Sequence, residues 1–348
     1  MNEKKTEGCD KLSIALIVTV TLVMGVIFVN GWTDAPNAIA TAVSTRVLKP
    51  NTAIGLAVVM NFLGALVMTY FNAQVAETIS NIVTFEGAGN AAQVALASSL
   101  FSIVVWAVTA WYFGIPTSES HALIAGLTGS AMAMGGLSAV NGGEWIKVLV
   151  GLVVSTLMGF GGGFLVTRLL AKLFQGVNRR KANQVFTVGQ AISAAMNAFL
   201  HGAQDGQKFM GVFMLGLFYN NLVEKTGNGF VIPLWVMALC SLTMGVGTSV
   251  GGMKIIKSVG MDMVKLEKYQ GFAADLSAAI CLFLASIFGI PVSTTHTKTT
   301  AIMGAGAAKR MTSVDWSIVK DMILAWVLTF PGCGVIAFIM AKLFVAIF

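Results

Sequence analysis

The sequence predicts an all-α polytopic membrane protein made of two homologous repeats, with roughly 10–12 membrane segments that include re-entrant half-helices. Three observations predict it. Of 348 residues, 56% are apolar and only 11% are charged, against about 25% charged in soluble domains. Long stretches at 12–33, 50–76, 87–118, 148–167, 182–204, 226–253, 276–297 and 322–341 hold no charged residue. Two short motifs recur in the same order in the two halves.

A spanning helix takes about 20 predominantly apolar residues, so nearly the whole chain belongs in or beside a bilayer. The first apolar run follows Lys4, Lys5 and Lys11, lacks a small-residue cleavage site and continues into Gly31, Asp34 and Pro36; it reads as a retained first helix. Near the middle, Lys172, Arg179, Arg180 and Lys181 form the densest basic stretch, and Lys254, Lys257, Lys265 and Lys268 form a second. Both are expected on the cytoplasmic side. The division expected is a first membrane repeat at 1–171, a basic connecting segment at 172–183 and a second membrane repeat at 184–348.

Composition removes other classes. Cys9, Cys240, Cys281 and Cys333 lie far apart, without the spacing of a disulfide framework or thiolate zinc site, and read as buried apolar thiols. The net charge of +7 suits loops facing anionic lipid rather than nucleic acid.

The repeats are visible as Gly-Ile-Pro-Thr-Ser-Glu-Ser-His at 114–121 and Gly-Ile-Pro-Val-Ser-Thr-Thr-His at 289–296, and as Asn30-Gly31-Trp32-Thr33-Asp34 and His201-Gly202-Ala203-Gln204-Asp205. Asp34 precedes His121 by 87 residues and Asp205 precedes His296 by 91. Internal duplication of this kind is common in transporters with a site between the halves; the match itself leaves inverted and parallel arrangements open.

All three histidines, His121, His201 and His296, lie in these motifs, with Asp34, Glu119, Asp205, Lys208 and Lys298 in or beside them. An ionisable group at membrane depth costs at least about 2.5–3.5 kcal/mol, so this concentration points to a wet, functional interior. Pro116 and Pro291 are each followed by hydroxyls, Thr117, Ser118 and Ser120 in one case and Ser293, Thr294 and Thr295 in the other. Proline suits the first turn of a helix and Ser or Thr its cap. Each motif therefore reads as a helix start whose free N–H groups and hydroxyls suit a small oxyanion. The stretches 121–138 and 296–308, rich in Gly, Ala and Thr, read as half-helices. Asp34 and Asp205 are the natural cation ligands, with amides from Asn37, Gln204 and Gln207, and with Gly31, Gly202 and Gly206 expected to unwind the backbone there. These suggest Na⁺ beside an anion, although a carboxylate could carry a proton instead.

At this point the residues resemble the inorganic phosphate transporter (PiT) family, whose halves each carry a Gly-Ala-Asn-Asp type motif and a later Pro-x-Ser-x-x-His motif. The likeness extends to Gly245-Val246-Gly247-Thr248 with Gly251-Gly252, and to Gly271-Phe272-Ala273-Ala274-Asp275. It implies a phosphate symporter of inverted repeats, dimeric, in the cell (inner or plasma) membrane, with function carried by Asp34, Asn37, Asp205, Gln207, Lys208 and the two hydroxyl runs. Thr33 and Gln204 stand where the family has Asn, Trp32 replaces a small residue, and Glu119 stands where a hydroxyl is commoner.

The expectation is Na⁺-coupled uptake without an organic cofactor. Phosphate would be held by Thr117, Ser118, Ser120, Ser293, Thr294, Thr295, Gln207 and Lys208, and Na⁺ by Asp34, Asn37, Gln204 and Asp205. Glu119, His121, His201 and His296 are candidates for gating or proton-linked steps. The partners expected are phosphate, Na⁺, membrane lipid and a second copy of the chain. Alternatives are symport with H⁺, including carriage of a neutral metal–phosphate complex, a channel-like anion conduit, and an intramembrane hydrolase using Ser293 with His296 or the aspartates.

Overall fold

The computed structural model describes residues 3–85, 90–113, 117–227, 229–250 and 253–347, with side chains from Leu16 onward except that of Asn90. Gly114–Pro116 and Gly251–Gly252 of the sequence motifs, and the side chains of Lys4, Lys5, Cys9 and Lys11, lie outside the described residues. The first half runs α1 (Glu3–Thr33), α2 (Ala40–Ser44), α3 (Pro50–Phe71), α4 (Gln74–Ser80), α5 (Asn90–Tyr112), α6 (Glu119–Gly135) and α7 (Gly142–Leu173). The second runs α8 (Arg179–Tyr219), α9 (Leu234–Val250), α10 (Met253–Lys257), α11 (Lys268–Ile287), α12 (Thr294–Ala307) and α13 (Trp316–Ile347). Among the described residues no strand forms.

By length and apolarity seven helices among the described residues can cross a membrane, and α9 with Met253–Asp262 makes an eighth if that bent pair is one span. Helix α8 is 41 residues long but carries the polar motif at 201–208, and α12 is only 14 residues. With these two, up to ten helical segments among the described residues are candidates to lie in the membrane.

The halves pack reciprocally. Helix α3 lies on α8 and α9 on α1, while α6 lies on α13 and α12 on α7. Two glycines of the repeated motif make the first pair of contacts possible. A Cβ at Gly31 would stand 2.4 Å from the Met244 carbonyl oxygen of α9, and one at Gly202 would stand 2.2 Å from that of Asn61 in α3. Only hydrogen fits at either place.

Helices α7 and α13, each of 32 residues and about 48 Å long, act as masts for the half-helices. Midway along α13, Trp326 meets His296 of α12 and Phe330 meets His121 of α6. From there α6 follows α13 toward its C-terminus, with the Ser130 hydroxyl donating to the Ala337 carbonyl at 3.3 Å. Helix α12 runs the other way, its C-terminal Ala305 and Ala307 sharing an apolar cluster with Val314 and Val319. The starts of α6 and α12 therefore meet centrally and their bodies point to opposite ends, the arrangement of an inverted repeat. Exposed Leu149, Val153 and Leu157 on α7 and Leu324, Val327 and Val335 on α13 form apolar outer faces of the kind that meets lipid.

Both basic segments come to one end: Lys268 Nζ donates to Thr187 Oγ1 at 2.8 Å, and Phe186 packs on Phe174 and Tyr269. The connecting stretch 172–183 comprises the end of α7, a turn and the first residues of α8. Cys240, Cys281 and Cys333 are free and buried, as their apolar surroundings require.

Candidate functional site

The serines after the prolines cap the half-helices. Ser118 accepts from the His121 backbone N–H at 3.3 Å to start α6, and Ser293 accepts from that of His296 at 3.1 Å to start α12. Side-chain caps of this kind satisfy one of the free N–H groups and leave others in the first turn. The two helix starts thus present positive dipole ends to the same central region.

Asp34 and Asp205 lie there, both buried. In the first repeat α1 stops at Thr33, Asp34 takes the turn, and Ala35–Ile39 form a 3₁₀ segment with proline in its first turn. Asn37 Nδ2 donates to Asp34 Oδ1 at 2.7 Å, and the Thr295 hydroxyl also donates to that oxygen. In the second repeat no break occurs. Helix α8 passes through Gly202, Asp205 and Gly206 without interruption, contrary to the unwinding expected there. The physical reason is that these glycines serve close packing: a Cβ at Gly206 would lie 2.6 Å from that of Ala65.

Asp205 has the denser set of partners. Lys208 Nζ donates to Oδ1 at 2.7 Å, and the Ser120 hydroxyl lies 3.5 Å from the same atom. Asn30 Nδ2 donates to Oδ2 at 3.2 Å, and His201 Nε2 lies 3.3 Å from it. The Thr294 hydroxyl stands 3.2 Å from Asp205 Oδ2 and 3.4 Å from Asp34 Oδ2, so one proton is shared between two carboxylates. An oxygen of each aspartate and a ring nitrogen of His201 all fall within 4.8 Å of one another. Hard oxygen ligands with one imidazole can hold a cation. Asn61 Oδ1 lies 2.7 Å from His201 Nδ1. Because Asn61 Nδ2 is committed to the Ala57 carbonyl, its oxygen accepts a hydrogen bond from His201 Nδ1–H, and Nε2 is turned to the aspartates.

Other expected site residues are placed differently. Gln207 ties α8 to the turn between α3 and α4, donating to the Asn72 carbonyl at 2.8 Å and accepting from Val75 N–H at 3.2 Å. Gln204 donates to Ser286 Oγ at 3.0 Å. Both point away from the paired aspartates. His121 and His296 meet edge to face at 4.4 Å between ring centroids and belong to the junction of the two half-helices. Glu119 accepts from the hydroxyl of Thr33. Thr117 contributes its carbonyl, 3.4 Å from the Thr295 hydroxyl.

Three residues named in the sequence motifs, Asn30, Asp275 and Lys298, take places that the motifs did not assign to them. Asn30 opens the repeated motif opposite His201, so the motif alignment held the signal for its role at Asp205. Asp275 and Lys298 form a second buried ion pair, one turn into α12. Its partners are the Thr41 hydroxyl, 2.6 Å from Asp275 Oδ1, and the Ala38 carbonyl, 3.1 Å from Lys298 Nζ. Their charges bound an otherwise uncharged stretch, which was the available clue.

A family model described as "Phosphate transporter family" matches residues 30–182 and again 174–337. The chain is 38% identical over 323 residues to a "Probable low-affinity inorganic phosphate transporter" of Bacillus subtilis (strain 168), covering 92% of this chain and 95% of that one. A protein of the same description from Rhizobium meliloti (strain 1021) is 38% identical over 310 residues, covering 89% and 90%. A solved structure described as "The sodium-dependent phosphate transporter" superposes with a TM-score of 0.87 at 23% identity, covering 96% of this chain and all of that one; it shares the fold.

Proposed function

Given that the chain belongs to the phosphate transporter family, we propose that it imports inorganic phosphate by symport with Na⁺, at a site between the repeats near the membrane midplane. It is a multi-pass membrane protein of a transporter family rather than an enzyme, which sets aside hydrolysis by Ser293 and His296. The observation that carries the proposal is the Thr294 hydroxyl set between Asp34 and Asp205 at the start of α12.

A hydroxyl has one proton to donate and lone pairs to offer. Here the hydroxyls of Thr294 and Thr295 spend their protons on carboxylates. Na⁺ placed at Asp34, on the side that faces Asp205, takes carboxylate and hydroxyl oxygens as ligands, with Asn37 and His201 beside it. The threonine protons are then released toward phosphate, which is held with Ser118, Ser120, Ser293 and the two helix N-termini. Phosphate arriving without the cation meets carboxylates and hydroxyls already engaged. Each ligand thereby favours the other, and by linkage the favour is mutual. Gln204 and Gln207 join such a site only by changing partners.

Movement of the half-helices and their masts against the rest would alternate access. The basic end at 172–181 and 254–268 is read as cytoplasmic. The divisions 1–171, 172–183 and 184–348 are kept as the repeats and their connector, and the apolar outer faces are read as surface for lipid and for a second copy. The sodium dependence named for the solved relative of the same fold supports the choice of ion.

The test is radiolabelled phosphate uptake into proteoliposomes under imposed Na⁺, K⁺ and pH gradients, each alone. Uptake above equilibrium with Na⁺ only is expected. Concentration by a pH gradient alone identifies H⁺ symport, and flux without any cation gradient identifies a conduit.

A further inference from the structure

We infer that Lys208 is a resident cation: its ammonium fills, in the second repeat, the oxygen cage whose first-repeat counterpart takes the coupling ion, so the chain binds one exchangeable Na⁺ and not two. This rests on the Na⁺ symport reading above and goes beyond it in assigning the number and place of the ions.

The two repeats correspond residue by residue. Aligning the two proline motifs pairs Ser120 with Thr295 and Thr117 with Val292, and aligning the aspartate motifs pairs Asp34 with Asp205 and Asn37 with Lys208. In the second repeat, Lys208 Nζ donates to Asp205 Oδ1 at 2.7 Å, to Ser120 Oγ at 2.7 Å and to the Val292 carbonyl at 2.6 Å. In the first repeat the counterparts of those three oxygens again stand together. The Thr295 hydroxyl touches Asp34 Oδ1 and lies 3.4 Å from the Thr117 carbonyl. A carboxylate, a hydroxyl and a backbone carbonyl compose each cage.

Such a set is what a hard monovalent cation uses in place of water. It is also what an ammonium group, with three protons and no lone pair, can satisfy completely. Lys208 is wholly buried and all three of its protons are taken, so its charge is committed to this cage and not free to grip phosphate directly. At the corresponding place Asn37 brings an amide of no net charge, 2.7 Å from Asp34 Oδ1 and 3.4 Å from Thr295 Oγ1. The other end of that amide, Asn37 Oδ1, is buried with no hydrogen-bond partner among the described residues. An unengaged acceptor beside a carboxylate, a hydroxyl and a carbonyl fits a cation that must come from solution. In the second cage that place is taken by the ammonium itself, and the unengaged Asn30 Oδ1 and His201 Nε2 lie with the residues at the other oxygen of Asp205, Oδ2.

The duplicated fold therefore holds two equivalent positive positions, one covalent and one exchangeable. Covalent charge at Asp205 would keep the second helix start attractive to phosphate throughout the cycle, leaving Asp34 to make the binding conditional on Na⁺.

The experiment uses the full chain. Initial phosphate uptake into proteoliposomes is measured against Na⁺ concentration for the wild type and for Lys208→Asn, which restores the first-repeat pattern to the second. First-order dependence on Na⁺ is expected for the wild type. Second-order dependence, with half-saturation at higher Na⁺, is expected for the variant. In parallel, equilibrium binding of radioactive Na⁺ to the purified wild type in saturating phosphate should count one ion per chain, and this count decides the matter if the variant fails to fold or to transport. Two ions per chain, or an active variant whose dependence stays first-order, overturns the inference and leaves Na⁺ symport standing. Uptake indifferent to Na⁺ in the wild type overturns symport and the inference together.

Discussion

The hydroxyl of Thr33, the last residue of α1, donates to the carboxylate of Glu119 in the first turn of α6. These are two of the positions at which the resemblance to the family motifs lapses, and here one holds the other. Glu119 is buried, and its second-repeat counterpart is Thr294, which bridges the two aspartates. A carboxyl group thus flanks the proposed phosphate site on one side, where the other repeat offers a hydroxyl. In its ionised form it would oppose phosphate: a unit charge about 8 Å away at an effective dielectric near 20 contributes about 2 kcal/mol, and partial neutralisation by neighbours lowers this. We predict that Glu119→Gln lowers the KM for phosphate by up to about tenfold, with Na⁺ dependence retained. An unchanged or raised KM in proteoliposome uptake would remove Glu119 from the neighbourhood of bound phosphate.

Asp205 and Lys208 are each buried beyond solvent, so removal of one strands the other. Breaking such a pair costs about 3–5 kcal/mol, while replacing both partners by groups of similar shape costs far less. Asp205→Asn is therefore expected to lower the Tm in detergent and abolish Na⁺-dependent uptake. The double variant Asp205→Asn with Lys208→Met should recover most of the Tm but none of the uptake. A double variant no more stable than the single one would show that the ion pair is not what Asp205→Asn disrupts.

The half-helices were legible because proline followed by serine has a local meaning, a helix start, that packing does not override. The continuity of α8 was not. Glycine serves both to unwind a helix and to let one helix approach another, and the choice at Gly202 depends on the Asn61 carbonyl of α3, far away in sequence. That expected break also hid a simple consequence of helical spacing. In an unbroken helix His201, Asp205 and Lys208 share one face, Gln204 stands at its margin and Gln207 lies further round. The two glutamines accordingly meet Ser286 and Asn72 instead of the aspartates.

Helix contact at Gly202 can be tested against a matched position. Gly202→Ala would press a methyl group onto the Asn61 carbonyl, whereas a Cβ at Gly25 meets nothing within 4 Å. Overpacking costs about 1–3 kcal/mol, and an open helical Gly→Ala gains up to about 1 kcal/mol. The expected outcome is a lower Tm and lower folded yield for Gly202→Ala, with Gly25→Ala equal to or above the wild type. Equal Tm values for the two variants would mean that α3 and α8 do not approach closely at Gly202.

Phosphate and Na⁺ are proposed to share one site through the hydroxyls of Thr294 and Thr295. Reciprocity makes this directly measurable, because a gradient of either ligand must then move the other. Proteoliposomes holding equal Na⁺ inside and out, with the membrane potential clamped, are given an inward phosphate gradient, and entry of radioactive Na⁺ is followed. A shared site predicts Na⁺ influx that starts with the phosphate gradient and is lost in Asp34→Asn. Phosphate entry with no accompanying Na⁺ would contradict it.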